Sequence, residues 1–227
     1  DTFNHFPSRL SEVQPRIELE QEAGERLGYL ITYSPEEGWN LRIHVDKPKN
    51  ADRVPLLVYI ARNARNLYFG DKLLDGLSRD WARAVVEVRG IGETSWGQDL
   101  QWFIRRVAML TGRTIASMRI QDTVAALYVL EKLGWVEKRK IALMGSGEMA
   151  VVAIYAALIK GGMHAVILHQ TPPTHDEPSS PDGSGVAIEL LNVLRHTDLP
   201  YAAGMLWPTL IYFLGPRPQA YVWTEEL

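Results

Sequence analysis

Cysteine is absent from the 227-residue chain, which excludes disulfides, thiol catalysis and cysteine-ligated metal while leaving the compartment open. Long hydrophobic runs are absent too, and no apolar stretch reaches the length of a membrane span. Nor does one charge dominate: 24 Lys and Arg against 27 Asp and Glu give a formal charge of −3, so no general pull toward nucleic acid or an anionic membrane follows. Metal-ligand spacings such as His-Glu-x-x-His are missing. No repeat or low-complexity block is visible and no signal sequence is present. The first residue is Asp1 instead of a start methionine, which reads as the mark of a processed or trimmed product.

What is there suffices for one α/β domain, since 46% of the residues are hydrophobic. The organising stretch is 139–160, RKIALMGSGEMAVVAIYAALIK. Ile141 to Met144 is a short apolar run, GSGE is a glycine-bearing corner and Met149 to Ile159 is an unbroken apolar helix former. The stretch therefore reads as strand, sharp turn and buried helix. At the carboxyl edge of a parallel sheet such a corner presents a side chain or backbone N–H groups to a ligand. A phosphate loop needs Gly-Lys-Ser/Thr after a longer glycine stretch, and none follows Gly145. A dinucleotide turn needs an acid about 20 residues on; the next strand has none, and no cofactor is expected. The serine nucleophile elbow, Gly-x-Ser-x-Gly, fits in shape. Counted from Gly145, its nucleophile position is Gly147 and its last glycine position is Met149. Ser146 comes one residue early, with its side chain expected to point away from the tip of the turn.

Residues 1–27 are polar and read as a lead-in with one short helix, ahead of a domain at 28–227. GYLITYS at 28–34 and WNLRIHVDKP at 39–48 flank a PEEG turn as a hairpin. PLLVYIA at 55–61 is the near-continuous run of a strand buried on both faces. A helix is expected before Arg79, and WARAVVEVRG at 81–90 is the next strand. Helical spacing covers 98–110 and 113–134. Strands follow at 141–144 and 163–170, then a polar loop at 171–185, helices at 186–195 and 199–213, and a last strand at 219–226. Alternating apolar strands and long helices favour a wound parallel sheet. In it, strands 55–61, 83–88, 141–144, 163–169 and 219–224 pair in parallel, with GSGE at their carboxyl edge.

RGIGET after one strand, the helix bearing MRIQDTVAALYVLEKLG, the corner in IALMGSGEM and the late run LRHTDLPYAAGMLWP together resemble the α/β-hydrolase fold. The likeness is to its acetyl-xylan-esterase-like, carbohydrate-esterase branch and spans residues 28–227. It implies an α/β three-layer sandwich with a mostly parallel central sheet, here lacking the last strand. It also implies a serine hydrolase that attacks an ester, often an acetyl group on a plant polysaccharide, through a Ser, Asp or Glu, and His triad, in an extracytoplasmic or secreted setting. By the resemblance, the nucleophile position is Gly147, leaving Ser146 as a displaced candidate, and the oxyanion loop falls at Ala61 and Arg62. The cleft takes in Glu148, Arg89 and Trp96, whose ring suits stacking on a sugar. The acid falls just past the strand at 219–224, at Glu225 or Glu226. The family's histidine follows one further strand, absent before Leu227; His175, in the polar loop, is the stand-in that reaches the mouth of a cleft.

Each group also has a plainer role. Ser146 serves as a turn hydroxyl, Gly147 supplies an unusual backbone angle, and Glu148 is a carboxylate favoured by the dipole of the helix it begins. His164 and His169, five apart on one strand, fall on opposite faces and cannot share a metal. Arg119 and Asp122, three apart on a helix, read as an ion pair. The expectation is a carboxylic-ester-hydrolase-like protein with an incomplete triad and weak or no activity. Two alternatives stand beside it: a non-catalytic ligand-binding or assembly domain, and an active serine esterase using Ser146 with a base from elsewhere. The ligand in view is a small ester or a carbohydrate. A sheet edge left open after 219–224 calls for another copy of the chain or a severed fragment of the same precursor.

Overall fold

The computed structural model describes residues 2–63, 72–181 and 188–225. Among these, eight strands form one sheet: β1 (Arg16–Ala23), β2 (Arg26–Tyr33), β3 (Leu41–Pro48), β4 (Val54–Ile60), β5 (Ala82–Val86), β6 (Val136–Ser146), β7 (Ala165–His169) and β8 (Leu210–Leu214). Their spatial order is β1-β2-β3-β5-β4-β6-β7-β8. The first three form an antiparallel meander and β3 is antiparallel to β5, whereas β5, β4, β6, β7 and β8 run parallel. The helices are α1 (Gln98–Leu110), α2 (Ile115–Glu131), α3 (Glu148–Lys160) and α4 (Leu199–Gly204). None is long and apolar enough to cross a membrane.

Burial follows sequence period. In β3, Leu41, Ile43 and Val45 are buried while Arg42, His44 and Asp46 are only half-buried, the alternation of a strand with one face in the core. The central β4 and the end of β6, Ile141 to Ser146, are buried nearly without a break, as strands covered on both faces must be. A capping box between Thr114 and Ser117 starts α2. Only Tyr128 and Glu131 on that helix escape burial, so it is a central helix covered nearly all round. It packs on α3, whose alanines at 150, 153, 156 and 157 permit the close approach.

Four expectations are corrected. The residues read as a lead-in supply edge strand β1, and the boundary at 27 falls inside β2. The helix expected at 186–195 reduces, over its described part, to the 3-10 turn Val193–Arg195. The apolar run 199–213 is a short helix followed by β8; Pro208 cannot continue a helix, and the β-branched and aromatic residues after it alternate in exposure as an edge strand does. The expected last strand at 219–226 is instead the 3-10 helix Gln219–Glu225, anchored by the buried Tyr221, whose hydroxyl donates to the Pro172 carbonyl at 2.9 Å. The outermost strand of the parallel part is therefore β8, with Leu210, Tyr212 and Leu214 exposed.

The amino-terminal residues are packed down as well. Leu10 is buried, the rings of Phe3 and Tyr155 lie 5.8 Å apart, and Thr2 donates to the Leu191 carbonyl at 2.8 Å. His5 sits beside Phe6 with both ring nitrogens buried and without a partner among the described residues. Burial, and then the nearby Arg113 charge, lower its pKa from 6.5 to about 4. The unfolded chain thus takes up a proton near pH 6.5 that the folded chain refuses until about pH 4, and stability falls as pH drops through that window. A His5→Leu variant should lose less melting temperature between pH 7 and pH 5 than the parent; an equal loss in both removes His5 as the cause.

Candidate active site

The corner after β6 is built by two glycines with different tasks. At Gly145 a Cβ would stand 2.0 Å from the Met149 carbonyl oxygen, so only glycine lets α3 begin so close to the strand. Gly147 has φ 60° and ψ −125°, a conformation that L side chains rarely adopt. Its N–H donates to the His169 carbonyl at 2.8 Å, which ties the corner to the end of β7. Above Gly147 the nearest atoms to an added Cβ belong to the Arg62 guanidinium, at 3.9 Å. The tip of the turn is thus open, and it carries no side chain.

Ser146 lies beneath the tip, 1% exposed. Its hydroxyl is 2.7 Å from His169 Nδ1, a pairing set by the parallel register that places Ser146 beside His169. Arg62 donates to Ser146 Oγ at 3.4 Å and to Gln170 Oε1 at 3.3 Å. With Arg62 donating to Oγ, the serine proton is free to go to Nδ1, leaving the imidazole proton on Nε2. Among the described residues no carboxylate is hydrogen-bonded to His169. Neither His169 nor Gln170 is singled out as a site residue from sequence, because their place beside the corner depends on strand order and register, and no local motif encodes either.

The remaining candidates fall in two groups. Glu148 pairs with Arg119 at 3.2 Å, and Arg119 also donates to the Arg89 carbonyl at 3.2 Å. Arg89 is buried and pairs with Asp122. The expected Arg119 and Asp122 pair is therefore not formed; each finds its partner on another element. Glu36 joins from the hairpin loop, accepting from Arg89, Arg113 and Gln121. Burial pushes the Glu36 carboxyl up, but the Gln121 hydrogen bond and the two arginine charges outweigh it and hold the group below the ordinary range. Trp96 packs over Gly90, where a Cβ would meet its ring at 2.4 Å, and its indole N–H donates to Gln101. The ring is half-buried, with less face for a sugar than expected.

Other sequence candidates lie outside this constellation. The Ala61 N–H donates to the Val86 carbonyl at 3.0 Å, so it is spent on the sheet and cannot serve an oxyanion. His175 is buried, with Nδ1 2.8 Å from the Ile188 carbonyl and Nε2 2.9 Å from the Tyr155 hydroxyl. The carbonyl requires a proton on Nδ1, so Nε2 accepts from the tyrosine and both nitrogens are engaged. Burial lowers its pKa further than the Ile188 carbonyl and Asp198 raise it. Glu225 ends a 3-10 helix instead of following a strand, and Glu226 lies outside the described residues. Just past β8 the sequence is GPRPQA, without an acid.

No protein-family profile and no curated protein matches the chain. Solved structures do. A Bacteroides fragilis protein assigned as an acetyl xylan esterase superposes with a TM-score of 0.68 at 14% identity over 93% of this chain and 64% of its own length. The chain has the α/β-hydrolase fold. Glucuronoyl esterase from Solibacter usitatus gives 0.65 at 11% identity, over 96% of this chain and 73% of that one. Acetyl xylan esterase 1 from a Thermoanaerobacterium species gives 0.56 at 14% identity, over 75% and 58%. The chain spans less than two thirds of the acetyl xylan esterases it resembles. The corner at Gly145 to Glu148 lies at the carboxyl edge of the parallel strands, beside the ends of β4 and β7.

Proposed function

We propose that this chain is a carboxylic-ester-hydrolase-like protein, akin to the carbohydrate esterases, whose elbow holds no nucleophile and which turns over esters weakly or not at all. The observation that carries the reading is Gly147: it stands at the tip, in the backbone conformation the elbow requires, with no side chain to attack a carbonyl. Support comes from the buried Ser146, which no substrate can reach without displacement of the corner, and from the lack of an acid just past β8. The polar groups around the open tip, Arg62, Gln170 and Glu148, suit retention of a small ester or a carbohydrate without cleavage. A second reading rests on one contact: the 2.7 Å bond from Ser146 to His169 is within the range of a nucleophile and its base. In that reading Ser146 acts as a displaced esterase nucleophile.

A fluorophosphonate probe followed by mass spectrometry separates the two, alongside turnover of nitrophenyl acetate. No adduct is expected, and no turnover above buffer that Ser146→Ala removes. A stoichiometric adduct on Ser146, lost in Ser146→Ala and in His169→Ala, would overturn the silent reading and establish the dyad.

A further inference from the structure

We infer that a recess at the amino-terminal edge of the sheet binds a small multivalent anion, one carrying two or more phosphate or carboxylate groups. β4 and β6 fall out of register there. Val54 pairs with Val136 and Leu56 with Ile141, so Glu137, Lys138, Arg139 and Lys140 stand opposite Pro55 alone. A strand covered on both faces has no place for four charged side chains, and the excess chain loops into water as a long bulge. The bulge lines a recess of about 730 Å³ together with the end of α2 and Arg53 of the β3–β4 connection. Sites for small molecules run from about 300 to 1,000 Å³, so the space suits a compact molecule larger than a single oxyanion. It lies at the opposite end of β4 from the corner after β6, and seven residues of strand set roughly 20 Å between the two. The inference therefore stands apart from either reading of that corner.

Charge selects the ligand. The charged side chains lining the recess are Arg53, Glu131, Lys132, Glu137, Lys138 and Arg139. Both acids are already matched from outside it, Glu137 by Lys140 at 3.2 Å and Glu131 by Lys160 at 2.7 Å. Lys132 is accounted for as well, since it caps the negative end of α2 and donates to the Val13 carbonyl at 2.6 Å. Arg53, Lys138 and Arg139 are exposed and have no ion-pair or hydrogen-bond partner among the described residues. Solvation explains why each reaches water; it does not explain why three like charges from two separate segments share one concavity, where they repel one another until an anion enters. Two arginine forks, each able to hold a carboxylate or phosphate through paired hydrogen bonds, together with a lysine, call for a ligand with at least two anionic groups. The formal charge of −3 on the whole chain opposes a long polyanion, which favours a small one.

Titration calorimetry of the full chain with inorganic tripolyphosphate and with citrate tests this, with orthophosphate and acetate as the one-group controls. Tripolyphosphate, citrate or both should bind at one site, at least about tenfold tighter than the matching control, and more weakly as salt is raised. Binding of tripolyphosphate alone names phosphate as the ligand group, and binding of citrate alone names carboxylate. Arg53→Ala and Arg139→Ala should each weaken the complex by about tenfold, the worth of one charge-assisted hydrogen bond, at unchanged melting temperature because both side chains are exposed. Arg139→Glu should abolish it. No binding of either multivalent anion overturns the inference, as does binding that both arginine variants leave intact. Controls that bind as tightly would mark an adventitious ion only and overturn it too. A loss seen in Arg62→Ala instead would move the site to the corner, and heparin binding where both small anions fail would assign the surface to a polymer; either result removes the small-anion site.

Discussion

Replacing Asp122 with alanine is expected to destabilise the fold by about 3–5 kcal/mol, the cost of leaving a buried charge without its partner. Asp122 is 0% exposed and Arg89 1%, and the carboxylate accepts from the Arg89 backbone N–H at 2.9 Å as well as from Nε and Nη2. Without it the guanidinium keeps, among the described residues, Glu36 at 3.1 Å and the face of Trp39, 4.8 Å from the ring centre. Neither can take up the three donors released. The loss would spread, because the Arg89 carbonyl holds Arg119, which in turn holds Glu148 at the first turn of α3. Denaturant unfolding measures it as a lower midpoint at unchanged slope. Replacing both partners with apolar residues, Arg89→Met with Asp122→Leu, should recover much of the deficit, since the penalty belongs to the orphaned charge. An Asp122→Ala cost below about 1 kcal/mol would mean that water reaches Arg89 and that the pair is not buried in solution.

That pair also marks how far the sequence could be read. The strand, corner and helix within 139–160 are legible because they are local: an apolar run, two glycines and an alanine-rich helix specify one another within a few residues. Gly147 at the tip follows from counting alone. Arg119 and Asp122 are misleading for the same reason, since three-residue spacing on a helix announces a pair whenever nothing else competes, and here Arg89 and Glu148 from other elements do. His169 is hidden more deeply. It lies beside Ser146 only because β7 is parallel to β6 in one register, and a shift of one residue would have turned it to the opposite face. The late elements fail by a signal that was present and outweighed: Pro208 divides 199–213, but the continuous apolar run around it masks the change from helix to strand. At 219–225 one buried tyrosine, not a strand's alternation, holds the segment down.

The two glycines of the corner after β6 should respond unequally to alanine. At Gly145 the added methyl meets the Met149 carbonyl oxygen at 2.0 Å, its carbon at 2.4 Å and the Ala150 nitrogen at 2.7 Å. All three are backbone atoms of the first turn of α3, so no rotamer change relieves the clash and the helix itself must move. A cost of about 3 kcal/mol or more follows, at the upper end of overpacking. At Gly147 nothing lies closer than 3.9 Å, and only the backbone conformation resists a side chain, at about 1–3 kcal/mol. Thermal or denaturant unfolding of the two single variants ranks them directly; an equal or reversed order would show that the corner is not packed on α3 as described. Gly147→Ser then asks the chemical question. Its Cβ would stand beside the Arg62 guanidinium, while His169 already holds Ser146 below the tip. An attacking hydroxyl needs a base within about 2.6–3.2 Å, and a cation in that position cannot take its proton. The variant should fold, gain a serine at the apex and still leave nitrophenyl acetate intact. Turnover in Gly147→Ser that is abolished by adding His169→Ala would prove that the histidine reaches the tip and that one side chain is all the site lacks.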